Sequence, residues 1–371
     1  FLDLSKAFDT LNHSILLNKL NQYGIRGLAN DWIKNYLTGR QQQVIYNSVL
    51  SNPTNITCGV PQGSILGPLL FLLYINDLPL YSKTPHFVLF ADDTNILFSH
   101  RDPIILQTII NKELGHISDW FKLNKLSLNI KKTNFMMFKN KFSNKPNPKI
   151  QIQIDGIIIT QVNTTKFLGL LIDHDLSWTS HTLHVSKIVS KYNGIIRKVR
   201  PFLPLDSLKT LYNSLVLPYL SYGAIVWADM NNSHLNSLFL LQKRTIRTCT
   251  NSLWLDHTDP LFVSFKTLKI SDIYKLQLAS FMFQFHHNQL PEGVIDNDFF
   301  NVGYLTHNYN TRRAHIPYIK NTNTVLAQNT SRSQGPLLWN TLNDDLKNSL
   351  SLSSFKSRMK RFLVDQYNPS P

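Results

Sequence analysis

The chain has 371 residues, 43% of them hydrophobic, and carries 38 Lys and Arg against 23 Asp and Glu, a formal net charge of +15. This length and apolar content support a buried core in about two or three domains and exclude a disordered tail. Positive charge on this scale favours a polyanionic partner such as nucleic acid, and with only two cysteines, Cys58 and Cys249, a disulfide framework or cysteine-rich zinc module is excluded.

Phe1–Leu4 reads as a short buried strand. Asp9 stands where an N-cap would, ahead of a helix over 10–23 that turns Leu11, Ile15, Leu16 and Leu20 inward and stops at Gly24. His13 reads as structural. A second helix is expected over 28–37 with Trp32, Ile33 and Tyr36 facing the core. Residues 41–46 and 55–58 read as strands on either side of a turn at 47–53. A turn-rich stretch from Gly59 to Gly67 leads into a helix over 68–74. The apolar run Ile65–Ile75 contains Gly67 and Pro68 and is too short to cross a bilayer, so no membrane partner is expected.

Strands are expected over 87–90 and 95–99, with residues 91–94 as the hairpin turn between them. A helix over 104–124 and a strand over 135–139 follow. The polar segment 143–148 reads as a subdomain boundary. Asp155-Gly156 sits between two apolar runs as a hairpin turn, and 167–172 reads as a further strand. From about Ser180 the pattern is helical. Ile188, Tyr192, Ile195 and Val199 recur at helical spacing, with Lys187, Lys191 and Lys198 on an adjacent stripe. Further helices are expected near 207–217, 234–248, 272–286 and 353–364. Mixed strand and helix followed by helix alone predicts an α+β catalytic domain and then a helical one.

Asp92 and Asp93 are neighbouring acids inside an apolar hairpin, where mutual repulsion and partial burial are both costly. A divalent cation would offset both costs, and oxygen donors without nearby nitrogen or sulfur suit Mg²⁺. Taken alone, the dipeptide is better explained as an exposed Asp-Asp turn. Its company changes that judgement. Phe1-Leu2-Asp3-Leu4-Ser5-Lys6-Ala7-Phe8-Asp9 resembles motif A of reverse transcriptases, and Gly59-Val60-Pro61-Gln62-Gly63-Ser64-Ile65-Leu66-Gly67-Pro68 resembles their motif B. Phe90-Ala91-Asp92-Asp93-Thr94 resembles motif C. Asn124-Lys125-Leu126-Ser127-Leu128-Asn129 with Lys131-Lys132-Thr133 resembles motif D. Phe167-Leu168-Gly169-Leu170, followed by Asp173 and Trp178, looks like motif E of jockey-like non-LTR elements. All stand in the family's order, and the specific motifs span about the first half of the chain. Looser likeness continues through Leu217-Pro218-Tyr219-Leu220-Ser221-Tyr222-Gly223, Val226-Trp227, Arg332-Ser333-Gln334-Gly335 and Trp339-Asn340.

The resemblance implies a right-hand polymerase: an antiparallel palm sheet with helices and partial fingers over 1–145, a β hairpin region over 146–179, and an all-α thumb with a C-terminal helical region over 180–371. It implies RNA-directed DNA polymerase activity on an RNA template and a DNA primer or target, with deoxynucleoside triphosphates as substrate. By resemblance, Asp3, Asp92 and the neighbouring Asp93 hold two Mg²⁺ ions, with Mn²⁺ as a substitute, and Leu4 offers its backbone carbonyl. Phe8 would exclude a ribose 2′ hydroxyl, with an ordinary core phenylalanine as the alternative. Gln62 and Gly63 would approach the template and incoming nucleotide. Lys132, or its neighbour Lys131, would protonate the leaving pyrophosphate. Lys187, Lys191, Arg197, Lys198 and Arg200 would contact the primer–template backbone, unless they are simply a solvated helix face.

Phe1 rather than methionine opens the chain, directly in motif A, so a fragment is expected whose upstream fingers strands and endonuclease are missing. Such a piece would expose palm edge and apolar surface and polymerise poorly alone. The competing reading is therefore an inactive nucleic-acid-binding remnant. A group II intron maturase is a third, disfavoured by the motif A run and by the absence of a recognisable splicing domain. For the family, a cytoplasmic ribonucleoprotein and the nucleus are the expected locations.

Overall fold

The computed structural model describes residues 1–138, 148–228, 233–291 and 324–367. Two compact units divide the chain, Phe1–Thr165 and Lys166–Pro371. The segment expected to mark a subdomain boundary, 143–148, lies outside the described residues except for Pro148.

The first unit mixes helices with small two-stranded sheets. Helix α1 (His13–Gln22) starts later than expected, because Asn12 and not Asp9 caps it, accepting from the Ile15 N–H at 3.1 Å. Helix α2 (Leu28–Leu37) has the expected bounds, yet only Leu37 on it is buried and Trp32 is 59% exposed. Ile33 and Tyr36 turn partly inward as expected; Trp32 does not.

Strands β1 (Gln41–Gln42) and β4 (Thr54–Asn55) pair antiparallel, and β2 (Ile45–Tyr46) pairs with β3 (Val49–Leu50) further out. The expected turn over 47–53 thus contains a strand. The chain reverses at Asn47 and Ser48, which both have positive φ (47° and 63°), the backbone of a tight hairpin turn. Helix α3 (Leu66–Ile75) buries Leu70, Phe71, Tyr74 and Ile75, and the short α4 (Leu78–Tyr81) follows. Strands β5 (His86–Phe90) and β6 (Asp93–Leu97) form a five-pair antiparallel ladder. Along β5, Val88 and Phe90 alternate outward, and Phe90 is 59% exposed. Helix α5 (Pro103–Leu123) is capped by Asp102 and packs Trp120 and Phe121 into the core.

Lys19 is buried in this unit. Its ammonium reaches the Tyr74 carbonyl at 2.7 Å and the Asp77 carboxylate at 2.6 Å, so the charge is paired and hydrogen-bonded. β7 (Asn134–Phe135) runs parallel to β10 (Thr160–Gln161), and β8 (Gln153–Ile154) and β9 (Ile157–Ile158) flank the expected Asp155-Gly156 turn.

In the second unit the expected single strand over 167–172 is a hairpin. β11 (Thr164–Phe167) and β12 (Leu170–Asp173) meet at Leu168 and Gly169, with φ of 45° and 82°. A leucine in the left-handed region costs about 1–2 kcal/mol, so sequence gives no signal for a turn there. Tyr222 clasps it, its hydroxyl donating to the Leu168 carbonyl at 2.6 Å. A Cβ on Gly169 would lie 3.2 Å from the Tyr222 ring, and one on Gly223 would lie 3.1 Å from Leu170.

Helix α6 (Thr179–Val199) packs on α10 (Ser233–Thr250). Its buried stripe is His181, Val185, Val189 and Ile196 rather than the expected set; Tyr192 and Val199 flank the core and Ile195 is 39% exposed. Helix α7 (Leu205–Leu215) and the short α8 (Leu217–Ser221) and α9 (Ala224–Trp227) follow, with Trp227 fully buried. Helix α11 (Ile270–His286) is the centre of the C-terminal packing, touching α9 and the helices Ser331–Thr341 and Leu352–Asp365. Gly335 permits one of these contacts, because a Cβ there would stand 2.7 Å from the Met282 sulfur. Trp339 stacks on His286 with centroids 4.7 Å apart.

Candidate active site

The first strand segment has little regular ladder of its own, and its place is set by hydrogen bonds to both sides. Toward β6, Leu2 bridges Thr94, its N–H donating to the Thr94 carbonyl at 2.8 Å. The antiparallel bridge carries the following residue, Asp3, toward the β6 end that begins at Asp93, whose carboxyl feels the Asp3 charge. Toward the other side, the Asn129 N–H donates to the Asp3 carbonyl and the Ser5 N–H to the Ser127 carbonyl, both at 2.8 Å, with Leu4 bridging Leu128. In this pattern the Leu4 N–H and C=O take no part in the bridge to Leu128 and face the Asp92 side. Thr133 closes the arrangement by accepting from the Asp3 N–H at 3.3 Å through its hydroxyl. Asn129 and Thr133 carry no signal in the sequence beyond their place in the motif D run, and their part in holding Asp3 is visible only in the fold.

Ala91 and Asp92 form the turn between β5 and β6, Ala91 with φ of 51°. Asp92 and Asp93 are exposed, Asp3 half-buried. The Asp93 carboxyl is pushed above the usual carboxylate range, first by burial and then by the charges of Asp92 and Asp3. Acids ninety residues apart in sequence are therefore close enough to disturb one another. Among the described residues, no three His, Cys, Asp or Glu side chains converge into a group able to hold a metal ion. The donor types nevertheless suit a hard divalent cation, because they are carboxylate oxygens and the charges of Asp92 and Asp3 both act on Asp93. Asp3, Asp92 and Asp93 are the residues that would hold it.

The loop of motif B is fastened to the segment after Asp3. The Val60 N–H donates to the Phe8 carbonyl at 2.9 Å and the Gly59 N–H to the Leu11 carbonyl at 2.7 Å. His13, buried, meets the Gly59 carbonyl through Nε2 at 2.7 Å, which is the structural role expected of it. Gly59 has φ of 83°, and a Cβ would stand 2.6 Å from the Asp9 carbonyl oxygen, so only glycine fits. Gln62 donates from Nε2 to the Asp9 carboxylate at 2.8 Å. Asp9, expected as a helix cap, is instead the anchor of Gln62. Gly63 is exposed with φ of 80°. Ser64 accepts from the Gly67 N–H at 3.0 Å at the head of α3.

Phe8 is half-buried, its ring tilted against Phe71 at 4.6 Å. Lys131 and Lys132 are both exposed on the turn that ends in Thr133. Lys187, Lys191, Arg197 and Lys198 are exposed on α6, and Arg200 just beyond it is partly buried. They belong to the second unit.

Residues 1–172 match the family model described as "Reverse transcriptase (RNA-dependent DNA polymerase)". Over 288 residues the chain is 28% identical to the "Probable RNA-directed DNA polymerase from transposon X-element" of Drosophila melanogaster, covering 73% of this chain and 30% of that protein. It is 27% identical to the "RNA-directed DNA polymerase from mobile element jockey" of the same fly, covering 75% of this chain and 31% of the relative. A shorter match of 29% identity over 185 residues, 46% of this chain and 30% of the relative, is to the "Retrovirus-related Pol polyprotein from type-1 retrotransposable element R2" of Popillia japonica. The chain thus spans about 30% of the length of these two fly relatives. Among the described residues no helix is long and apolar enough to cross a membrane. With Asp3 close enough to disturb Asp93 and a likeness running from Phe1 through the motif E hairpin, residues 1–172 match the reverse transcriptase family, and the chain is similar to the polymerases of jockey-type non-LTR retrotransposons.

Proposed function

We propose that this chain is the catalytic portion of an RNA-directed DNA polymerase, extending a DNA primer or target end along an RNA template. The observation that carries this reading is the Leu2–Thr94 bridge, which brings Asp3 level with the Asp92–Asp93 turn, together with the raised Asp93 carboxyl. In this reading the first unit is the palm with part of the fingers, the β11–β12 hairpin the motif E element, and the helices from α6 onward the thumb and C-terminal region. Asp3, Asp92 and Asp93 would hold the Mg²⁺ ions of this reaction, and the Leu4 carbonyl, unused by the Leu128 bridge, would be a further oxygen donor. Bound divalent cations supply activation of a 3′ hydroxyl and stabilisation of a leaving pyrophosphate.

The protein's own groups then have separate tasks. Gln62, held by Asp9, and Gly63 line the approach of the template and incoming nucleotide. Phe8, backed by Phe71, blocks the space of a ribose 2′ hydroxyl. Lys132 delivers a proton toward pyrophosphate. Lys187, Lys191, Arg197, Lys198 and Arg200 bind backbone phosphates.

A second reading, nucleic-acid binding without turnover, is favoured by one observation: no three acidic side chains converge among the described residues. Primer extension separates the two. The chain is given an RNA template with an annealed DNA primer, deoxynucleoside triphosphates and Mg²⁺. The polymerase reading expects extension, weak for this chain alone, that falls by at least about a hundredfold in Asp92→Asn, on the scale of losing a transition-state charge partner. Extension unaffected by that change contradicts the assignment of Asp92, and binding without any extension supports the second reading.

A further inference from the structure

Helix α2 leaves water-exposed the residue its sequence marks as most apolar in bulk. Trp32 is 59% exposed while Leu37 on the same helix is fully buried. Its ring is parallel to that of Tyr36, with centroids 6.0 Å apart and planes 8° from each other. The Arg40 guanidinium continues the stack, 5.5 Å from the Tyr36 ring centre. Trp32 and Tyr36 stand four residues apart on one stripe of the helix, and Arg40, beyond the helix end, lies over the Tyr36 ring. The stack leaves Trp32 largely in solvent. Arg40 and Lys34 make no ion pair among the described residues, and with Asp31 they leave the helix and its exit with a positive balance.

We propose that Trp32, Tyr36 and Arg40 form a stacking platform for an unpaired base of single-stranded RNA, namely the template of the polymerase reaction, on which reading this inference rests. A flat aromatic face backed by a second ring and a guanidinium suits a nucleobase, because every base has a π face and stacking tolerates any sequence. The neighbouring cations take the phosphates of the same strand. The net charge of +15 and the unpaired Arg40 favour a polyanion over an apolar protein surface here.

The platform is also tied to the motif B loop. The Ile56 N–H donates to the Arg40 carbonyl at 2.9 Å. From Ile56 the chain reaches Gln62 in at most about 20 Å even when fully extended. The exit of the platform helix and the motif B loop are thus joined through one short stretch of chain. Such a grip holds the unpaired template strand and has no use for a fully paired duplex.

The test is equilibrium binding of a fluorescently labelled, unstructured RNA oligonucleotide to this chain, with a blunt RNA–DNA duplex as control. Trp32→Ala is expected to weaken single-strand binding by about 5- to 50-fold, and Trp32→Phe by less than about threefold. Duplex affinity should change less than about twofold, and the melting temperature should stay within about 2 °C because the side chain is exposed. A series of oligonucleotides with one abasic position in turn should show one or two positions whose loss weakens wild type but not Trp32→Ala. If Trp32→Ala does not fold, the same series on wild type and Trp32→Phe decides, and uniform affinity along the series overturns the platform. Single-strand affinity unchanged in Trp32→Ala also overturns it. Reduced self-association in that variant with RNA binding intact overturns it in favour of a protein contact. Wild type that binds neither RNA nor duplex contradicts the polymerase reading itself, and the platform falls with it.

Discussion

At the scale of single residues, the acids of the first unit are in tension with their surroundings. Asp93 must ionise against partial burial and against Asp92 and Asp3, which raises its carboxyl pKa. A raised carboxylate pKa means that the folded state is penalised at pH values above the usual range, and the penalty fades as pH falls and the acid protonates. Without divalent cation at neutral pH, Asp93→Asn should therefore raise the melting temperature slightly. Because the group is largely exposed and screened, the gain should be under about 1 kcal/mol. Differential scanning calorimetry in chelator checks it; a variant less stable than wild type would show that the carboxylate is held by favourable contacts instead. Much of this site is legible in the sequence, since Asp3, Asp92 and Gly59–Gly63 stand in recognisable runs. Asp9 is not. An acid followed by Thr-Leu-Asn offers two capping residues, and the helix takes Asn12 because Asp9 is engaged by Gln62 from 53 positions away. Tertiary partners of that kind leave no local mark.

At the scale of elements, helix existence is read well from periodicity and caps, whereas the face a helix presents is read poorly. Helix α2 has its expected bounds, but Trp32 is outward. Hydrophobicity marks it for the core, and the platform supplies a different reason for its place. In α6 the sequence offers two apolar stripes about one residue apart, and packing on α10 selects the one through Val185, Val189 and Ile196. Val189→Ala should then cost about 2 kcal/mol, while Ile188→Ala should cost less than about 1 kcal/mol. Chemical denaturation of both variants measures this, and a reversed order would restore the stripe through Ile188. The shift also bears on function, since it leaves Lys187, Lys191 and Lys198 in solvent, available for phosphates. The β11–β12 hairpin was hidden for a separate reason: its turn uses a leucine in a left-handed backbone, stabilised by Tyr222 from fifty-four residues further on.

At the scale of the whole molecule, the two units differ in what acid does to them. Buried histidines of the second unit resist protonation. His181 is lowered to about 4, mainly by burial and further by His184, with Asp173 opposing. His286 is lowered to about 4 by burial, His287 and Lys347. Unfolded, both would titrate near 6.5. The unfolded chain thus binds more protons below that value, and the second unit loses stability as pH falls from about 6.5 toward 4. Each histidine contributes at most about 1.4 kcal/mol of loss per pH unit in that window, and less for the half-buried His286, where solvent screens the charge. Melting followed at Trp227 and Trp339, both buried in this unit, should shift downward between pH 7 and 5. His286→Gln should soften the shift, and pH-independent melting in the wild type would contradict this account of the two histidines. The order of mixed and then helical segments follows from a change in pattern visible in the sequence. The division into units falls at 165/166, inside β11, where no composition change announces it.

The central claim is that Asp3 and Asp92, far apart in sequence, serve one divalent-cation site. Mn²⁺ binding followed by electron paramagnetic resonance, with primer–template present, tests it in wild type, Asp3→Asn and Asp92→Asn. The account predicts saturable binding in the wild type that weakens by at least about tenfold in both variants alike, as loss of a charged oxygen ligand requires. Wild-type affinity retained in Asp3→Asn while Asp92→Asn loses it would place the two acids in separate sites and contradict the account.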